Sequence, residues 1–399
     1  MSNSWDNFSL TSILFIRQGV TGMKKIISAL SAVVIFLLSF IYTCAEEEKN
    51  ALTEAYLLME AETGTVLSQE NGYVKLPCGS MNKLMTMLLA AEAMEEGAFD
   101  KNTVLTASSN ASTQRGAVIW LMPGEEISVD ELLKGLIIGN ANDAAMVLAE
   151  KISGSEEEFV GMMNARAFEL GMKNTVYRDC CGYDSEEQYS CAYDIALVCR
   201  ELIRYDAMKG YMTQWLTRIR NDATEVVNEN HLVRTYEGML GIKACHSEKS
   251  GFCAALAAER GDSRYISICI GSSDKDSRFT KCKELLSSGF SLYKVTTPSF
   301  STEFIKPISV HGGVDSAVEI QAEGLSSLVV PKSGEELSTV VFLPEYLDAP
   351  VRKGQKIGIV GFYNGETLLY QTDLITSSSI SDMTFKHAYK RILYTMFKK

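Results

Sequence analysis

The chain has 399 residues, 46% of them hydrophobic and 9% aromatic, and a formal net charge of −12. That length fits two or three packed domains, and the acidity disfavours nonspecific binding to nucleic acid. The four histidines, His231, His246, His311 and His387, are not spaced as ligands, so neither a zinc site nor a Ser-His-Asp triad is expected, and no metal or cofactor is anticipated.

In chain order, residues 23–45 read first, as a secretory signal. Lys24-Lys25 precede an uncharged stretch from Ile26 to Ala45, with small residues at Thr43-Cys44-Ala45 and the polar run Glu46–Asn50 behind it. Met23 makes a natural start, and residues 1–45 are taken as leader. An uncleaved anchor is the alternative, because the apolar run approaches spanning length. The leader carries a net +2, leaving −14 on the rest. Nine cysteines follow it: Cys78, Cys180, Cys181, Cys191, Cys199, Cys245, Cys253, Cys269 and Cys282. Their odd number and scattered spacing argue against a complete disulfide framework and for free, mostly buried thiols.

Ala55–Met59 and Thr65–Ser68 read as strands joined at Glu62-Thr63-Gly64. Pro77 and Gly79 then punctuate the entry to Ser80-Met81-Asn82-Lys83, followed by the apolar helix formers Leu84 to Met94. With Ser80 in the first turn, positions i and i+3 place its hydroxyl beside the Lys83 ammonium. Burying that helix desolvates the lysine, lowers its pKa and lets it act as a base towards the serine, an activated nucleophile without histidine.

Residues 101–125 read as a polar loop. Helical patterns follow at Ser128–Ile138, after Asn142, at Glu157–Leu170 and at Tyr193–Tyr205. Strands return at Gly241–Ala244, Phe252–Ala258 and Tyr265–Ile270, and a helix from Arg278 to Tyr293 closes the region. This order predicts an α+β sandwich, an antiparallel sheet flanked by helices and joining both ends of residues 46–295. Residues 296–376 alternate in short strands with Gly- and Pro-rich turns, a small all-β domain. In residues 377–399, Phe385, Tyr389, Ile392, Leu393, Met396 and Phe397 share one helical face, while Lys386, Lys390, Arg391, Lys398 and Lys399 fill the rest. An apolar aromatic face with a basic remainder predicts an amphipathic helix lying on an anionic membrane surface.

Together these segments resemble one family, the penicillin-binding serine D-Ala-D-Ala carboxypeptidases of low molecular mass. The resemblance is carried by Ala61–Leu67, Pro77–Thr86, Pro123-Gly124-Glu125, Asn142-Asp143-Ala144-Ala145, Gly171–Thr175, Asn228-Glu229-Asn230, Gly241-Ile242-Lys243 and Ala349–Gly354. It implies the sandwich fold shared with serine β-lactamases and acyl transfer on peptidoglycan stem peptides. By that resemblance Ser80 is the nucleophile and Lys83 its base, with Asn140 and Asn142 in the second motif. Lys243, Ala244, Cys245 and His246 then line the substrate strand, the His246 amide joins that of Ser80 in holding the oxyanion, and Arg278 receives a substrate carboxylate. The family also implies β-lactam antibiotics as covalent inhibitors and a location outside the cytoplasmic membrane, facing the wall.

Two motifs depart from the family pattern. Asn140-Ala141-Asn142 places an amide where the second motif has a serine; an amide can donate to Lys83 or to the leaving group but cannot relay a proton. Lys243-Ala244-Cys245 stands where the family has K-T-G, losing a hydroxyl worth about 1–3 kcal/mol towards a carboxylate. Two readings of Cys245 stand open: it packs near Cys78, or the two are unrelated buried thiols. The altered motif leaves a second reading: a catalytically degenerate paralogue that binds cell-wall peptide or a partner without turnover.

Overall fold

The structure, a computed structural model, describes residues 53–298, 306–333 and 337–397. The expected leader lies outside the described residues. The chain enters as strand β1 (Ala55–Glu60) and returns as β2 (Val66–Glu70), the hairpin read from Glu62-Thr63-Gly64. Helix α1 (Lys83–Glu95) follows, with nearly every residue from Lys83 to Ala93 buried. A helix apolar on all sides has to sit in the middle of a core, and α1 does. The segment read as a loop contains the paired short strands β3 (Val104–Thr106) and β4 (Glu126–Ser128). Helices α2 (Val129–Ile137), α3 (Asn142–Ser153), α4 (Glu156–Glu169), α5 (Ala192–Leu202) and α6 (Asp206–Met212) come next. Ser128, Ser155 and Cys191 cap α2, α4 and α5 by accepting from a backbone N–H three residues on.

The hairpin β5 (Leu216–Ile219) and β6 (Thr224–Val227) precedes the long strands β7 (Met239–Ser247), β8 (Gly251–Arg260) and β9 (Ser263–Ser272). The main sheet runs β2-β1-β9-β8-β7, so the first strands of the chain pair with the last of this region, as the element order predicts. One sheet face packs on α1 and the helices around it; the other packs on α7 (Ser277–Leu292) through residues such as Leu58, Leu256, Phe279 and Leu286. Strand β7 lies at the edge of the sheet.

The all-β region starts earlier than the sequence boundary, because β10 (Tyr293–Thr296) pairs with β14 (Leu328–Pro331). Between them come β11 (Ile308–His311), β12 (Ala317–Val318) and β13 (Ile320–Ala322), and after them β15 (Ser338–Phe342), β16 (Tyr346–Asp348), β17 (Lys356–Asn364) and β18 (Thr367–Thr376). The region extends past Thr376: Ile380 bridges Val351, and the Met383 amide donates to the Gly312 carbonyl. The tail forms helix α8 (Phe385–Phe397), with no residue buried. No described helix is long and apolar enough to cross a membrane. The nine cysteines after the leader are all free and buried.

Candidate active site

Ser80 sits one step earlier than the helical reading places it, on a 3-10 turn (Gly79–Asn82) that runs directly into α1 at Lys83. The serine is partly exposed, while Asn82 and Lys83 beside it are buried. Two glycines make this position possible. Gly79 has φ +48, and a Cβ there would stand 2.9 Å from both Ser247 Oγ and Ser250 Oγ. At Gly182, with φ +83, a Cβ would meet the Gly79 carbonyl oxygen at 2.1 Å. The nucleophile turn is thus pressed between the end of β7 and the Cys180–Tyr183 segment, where only hydrogen side chains fit.

Lys83 Nζ lies 2.9 Å from Ser80 Oγ, as the i, i+3 spacing predicts, and donates to the Cys181 carbonyl at 2.6 Å. One turn on, Thr86 Oγ1 donates to the Cys180 carbonyl at 2.7 Å, stapling α1 to the same segment. Burial lowers the pKa of Lys83, against a smaller opposing pull from the Cys181 and Cys245 thiols. A neutral amine at this distance can accept the serine proton.

Asn142 opens α3. Its amide N–H donates to the Ala117 carbonyl at 2.7 Å and its Nδ2 to the Arg115 carbonyl at 2.5 Å, while its Oδ1 is buried without a hydrogen-bond partner. Asn140 does not act on Lys83 as the second motif implied. Its backbone is left-handed, at φ +59, and the hydrogen bonds of Lys83 go to Ser80 and to the Cys181 carbonyl instead. The Asn140 Oδ1 is likewise buried and unpaired.

Strand alternation sorts the third motif. Lys243 and Cys245 face α1, and Ala244 faces α7. Lys243 is buried, with Nζ 3.4 Å from the Leu136 carbonyl, and burial followed by the Lys83 charge brings its pKa down to about 7. Ala244 packs among Leu232, Ala254 and Phe279, so its side chain does not line a substrate groove; this corrects its assignment as a binding residue. Cys245 is fully buried, 4.0 Å from the Cys78 carbonyl oxygen and opposite Cys253 across the ladder. It lies beneath the nucleophile turn, which favours the reading that places it near Cys78. Contact with Cys253 and burial push its thiol pKa well up. The His246 side chain is exposed and stacks on Phe252 at 4.1 Å, outside the Ser80–Lys83 cluster.

Arg278 is the clearest correction. It was expected to receive a substrate carboxylate, but it is fully buried and each of its three nitrogens already donates a hydrogen bond within the protein. Nη1 donates to the Cys245 and Cys253 carbonyls at 2.6 and 3.0 Å, Nε to the Lys275 carbonyl at 3.1 Å, and Nη2 to Glu229. The guanidinium lies against the rings of Phe252 and Phe279, at 5.3 and 4.6 Å from their centroids.

Sequence reasoning missed the brace on one rim. The buried Asp143 carboxylate accepts from the amides of Ile119 (3.0 Å) and Leu121 (3.1 Å), and Arg220 donates to the carbonyls of Ile119 and Trp120. Between those amides Trp120 adopts φ +56 and is 72% exposed. Tyr183 closes the other end, its hydroxyl donating to Gln114 Oε1 at 2.8 Å and accepting from the Arg115 amide at 3.1 Å. The adjacent Asn-Asp at 142–143 was the available signal: one residue at the site, the next holding the loop in front of it.

Comparison with known proteins follows this geometry. Residues 43–274 match the family model for D-alanyl-D-alanine carboxypeptidase, and residues 293–382 that for the penicillin-binding protein 5 C-terminal domain. The D-alanyl-D-alanine carboxypeptidase DacF of Bacillus subtilis is 30% identical over 391 residues, 94% of this chain and 100% of its own length. Among solved structures, penicillin-binding protein 5 of Haemophilus influenzae superposes with a TM-score of 0.74 at 25% identity, over 82% of this chain and 97% of that one. Penicillin-binding protein D2 of Listeria monocytogenes, solved in its ampicillin-bound form, matches with a TM-score of 0.52 at 26% identity, over 59% of this chain and 96% of that one.

Proposed function

The chain belongs to the D-alanyl-D-alanine carboxypeptidase family, and on that premise we propose that Ser80 carries the acyl-enzyme through which it removes the terminal D-alanine of peptidoglycan stem peptides. The observation that carries this reading is the 2.9 Å contact between Ser80 and a buried lysine of lowered pKa. Neutral Lys83 takes the Ser80 proton as Oγ attacks the carbonyl of the penultimate D-alanine. The backbone N–H groups of Ser80 and His246 hold the developing oxyanion. The Lys83 proton passes to the departing amine, free D-alanine leaves, and a water deprotonated by Lys83 hydrolyses the ester. Lys243 keeps a second basic group close enough to feel the Lys83 charge, and Asn142 holds the chain at Arg115 and Ala117.

β-Lactams would enter the same chemistry as covalent inhibitors, acylating Ser80 without a leaving group that diffuses away. A fluorescent penicillin tests the reading directly. Covalent labelling of the wild type, lost in Ser80→Ala, together with D-alanine release from a pentapeptide, is the expected result; a wild type that neither labels nor releases D-alanine overturns it. No observation favours the degenerate alternative, because both altered residues of the third motif, Ala244 and Cys245, are buried in cores rather than set into the substrate path.

An exported, wall-facing location is supported by the signal-like composition of residues 23–45. Helix α8 supports attachment to an anionic membrane surface: Phe385, Ile392, Met396 and Phe397 are all exposed, with Lys386, Lys390 and Arg391 among them. Co-sedimentation with vesicles containing phosphatidylglycerol, lost when residues 385–399 are deleted, is expected. Equal binding by the truncated chain removes this part of the reading.

A further inference from the structure

Arg278 has no access to substrate, yet a buried guanidinium in this place needs an account. Its Nη1 reaches the Cys245 and Cys253 carbonyls together, at 2.6 and 3.0 Å. Those residues are registered opposite one another on β7 and β8. One nitrogen can touch both oxygens only if both carbonyls point into the space between the two strands. The peptide unit is planar and trans, so the N–H that shares a plane with the Cys245 carbonyl points the opposite way. That N–H belongs to His246. It therefore projects in the plane of the sheet from the free edge of β7, the strand whose Ser247 side chain meets the nucleophile turn.

We propose that Arg278, tethered by Glu229, is a positioning residue for acyl transfer: it holds the Cys245–His246 peptide plane so that the His246 amide is presented to the oxyanion. This rests on the Ser80 acyl-enzyme reading and deepens it. Three separate pieces of chain meet at the guanidinium. Arg278 comes from the first turn of α7, Glu229 from the segment after β6, and the two carbonyls from the β7–β8 ladder. Phe252 and Phe279 pack their rings against the planar group. A flat fork with several donors can satisfy two carbonyls and a carboxylate at once, which a lysine ammonium on a flexible stem does less rigidly. The Glu229 side chain retains 34% exposure, so solvent reaches one end of the network while the carbonyl end stays dry. Preorganised donors that need no rearrangement during reaction are what an oxyanion site requires.

The test compares Arg278→Met, Arg278→Lys and Glu229→Gln with the full-length wild type. Two quantities are read: the acylation rate constant with a fluorescent penicillin, and the ester carbonyl stretch of the acyl-enzyme by isotope-edited infrared difference spectroscopy. Loss of one oxyanion donor slows acyl transfer by about 100-fold or more, so a donor that is misaimed rather than deleted should slow Arg278→Met by roughly 10- to 100-fold. Its carbonyl band should move to higher wavenumber and broaden. Arg278→Lys should recover part of both effects, and Glu229→Gln, which keeps the guanidinium, should broaden the band with a rate loss of about threefold, on the order of one weakened hydrogen bond. Rates are scaled to the folded fraction from thermal unfolding, and Glu229→Gln provides a variant whose changed side chain is partly in water. An unshifted band in Arg278→Met and Glu229→Gln, with acylation falling only in step with folded protein, overturns the proposal. If the wild type itself forms no acyl-enzyme, the underlying reading fails, and this one with it.

Discussion

Lys243 is a buried amine that weakens the fold it serves, and Lys243→Met should strengthen the protein while removing its chemistry. Among the described residues its Nζ has one hydrogen-bond partner, the Leu136 carbonyl at 3.4 Å. Burial, with the Lys83 charge next, holds its pKa at about 7 against an ordinary 10.5. The unfolded chain therefore binds this proton more tightly than the native one. Below pH 7 both states carry it and the native state bears the whole penalty, with about 5 kcal/mol as a ceiling, at roughly 1.4 kcal/mol for each pH unit between the two values. Between about 7 and 10.5 the native amine is neutral while the unfolded one is still charged. Stability then rises with pH, and the penalty is gone above that window. Methionine fills a similar length without charge, so its advantage over the wild type should trace the same curve. Guanidinium denaturation near pH 6, 7.5 and 9 should give the variant its largest gain at the lowest pH and a shrinking one above. Penicillin acylation should be lost at every pH. A variant weaker than the wild type near pH 6, or an advantage indifferent to pH, refutes the reasoning.

Cys245→Gly should cost about 1–3 kcal/mol, from the cavity it leaves and the added backbone freedom, as read by the denaturation midpoint. Its acylation rate should change little, because the thiol is turned under the nucleophile turn; a gain of tenfold or more would show that sulfur obstructs the groove. Trp120→Gly removes a left-handed conformation that costs a side-chain-bearing residue about 1–2 kcal/mol, and the ring is largely in solvent. Its melting temperature should hold or rise, whereas a large fall would show that the indole packs. Acylation should increase with pH through one ionisation below the usual lysine range, as Lys83 becomes neutral. A rate that climbs only near the pKa of free lysine contradicts the assignment of Lys83 as base.

What the sequence discloses about the site follows how local each contact is. Ser80 and Lys83 meet because helical spacing brings them together, and period-three reasoning finds such pairs. The partner of Lys83 that reasoning missed is a main-chain oxygen 98 positions away at Cys181, which no side-chain pattern reports. Arg278 was misassigned for a similar reason: residue type says that a guanidinium seeks oxygen, not whether the oxygen is a ligand's or the chain's own. Alternation along β7 identifies which residues share a face, and it is the pairing of β7 with β8 that turns Ala244 into core. In the fold, long periodic helices and the three long strands were legible. The short helix Asp206–Met212 and the hairpin Leu216–Val227 were not, since a few residues each give too little period to read.

The nine unpaired thiols of the described residues have a consequence for how the molecule ages. While the chain is folded they are shielded; each excursion to the unfolded ensemble presents all of them together to oxygen, metals and one another. Thiols with no native pairing offer many wrong crosslinks and none that guides the chain home. Shelf life in air should then be set by how often the molecule opens rather than by its free energy of folding, and a reductant in the buffer would lengthen it without making the native state any deeper.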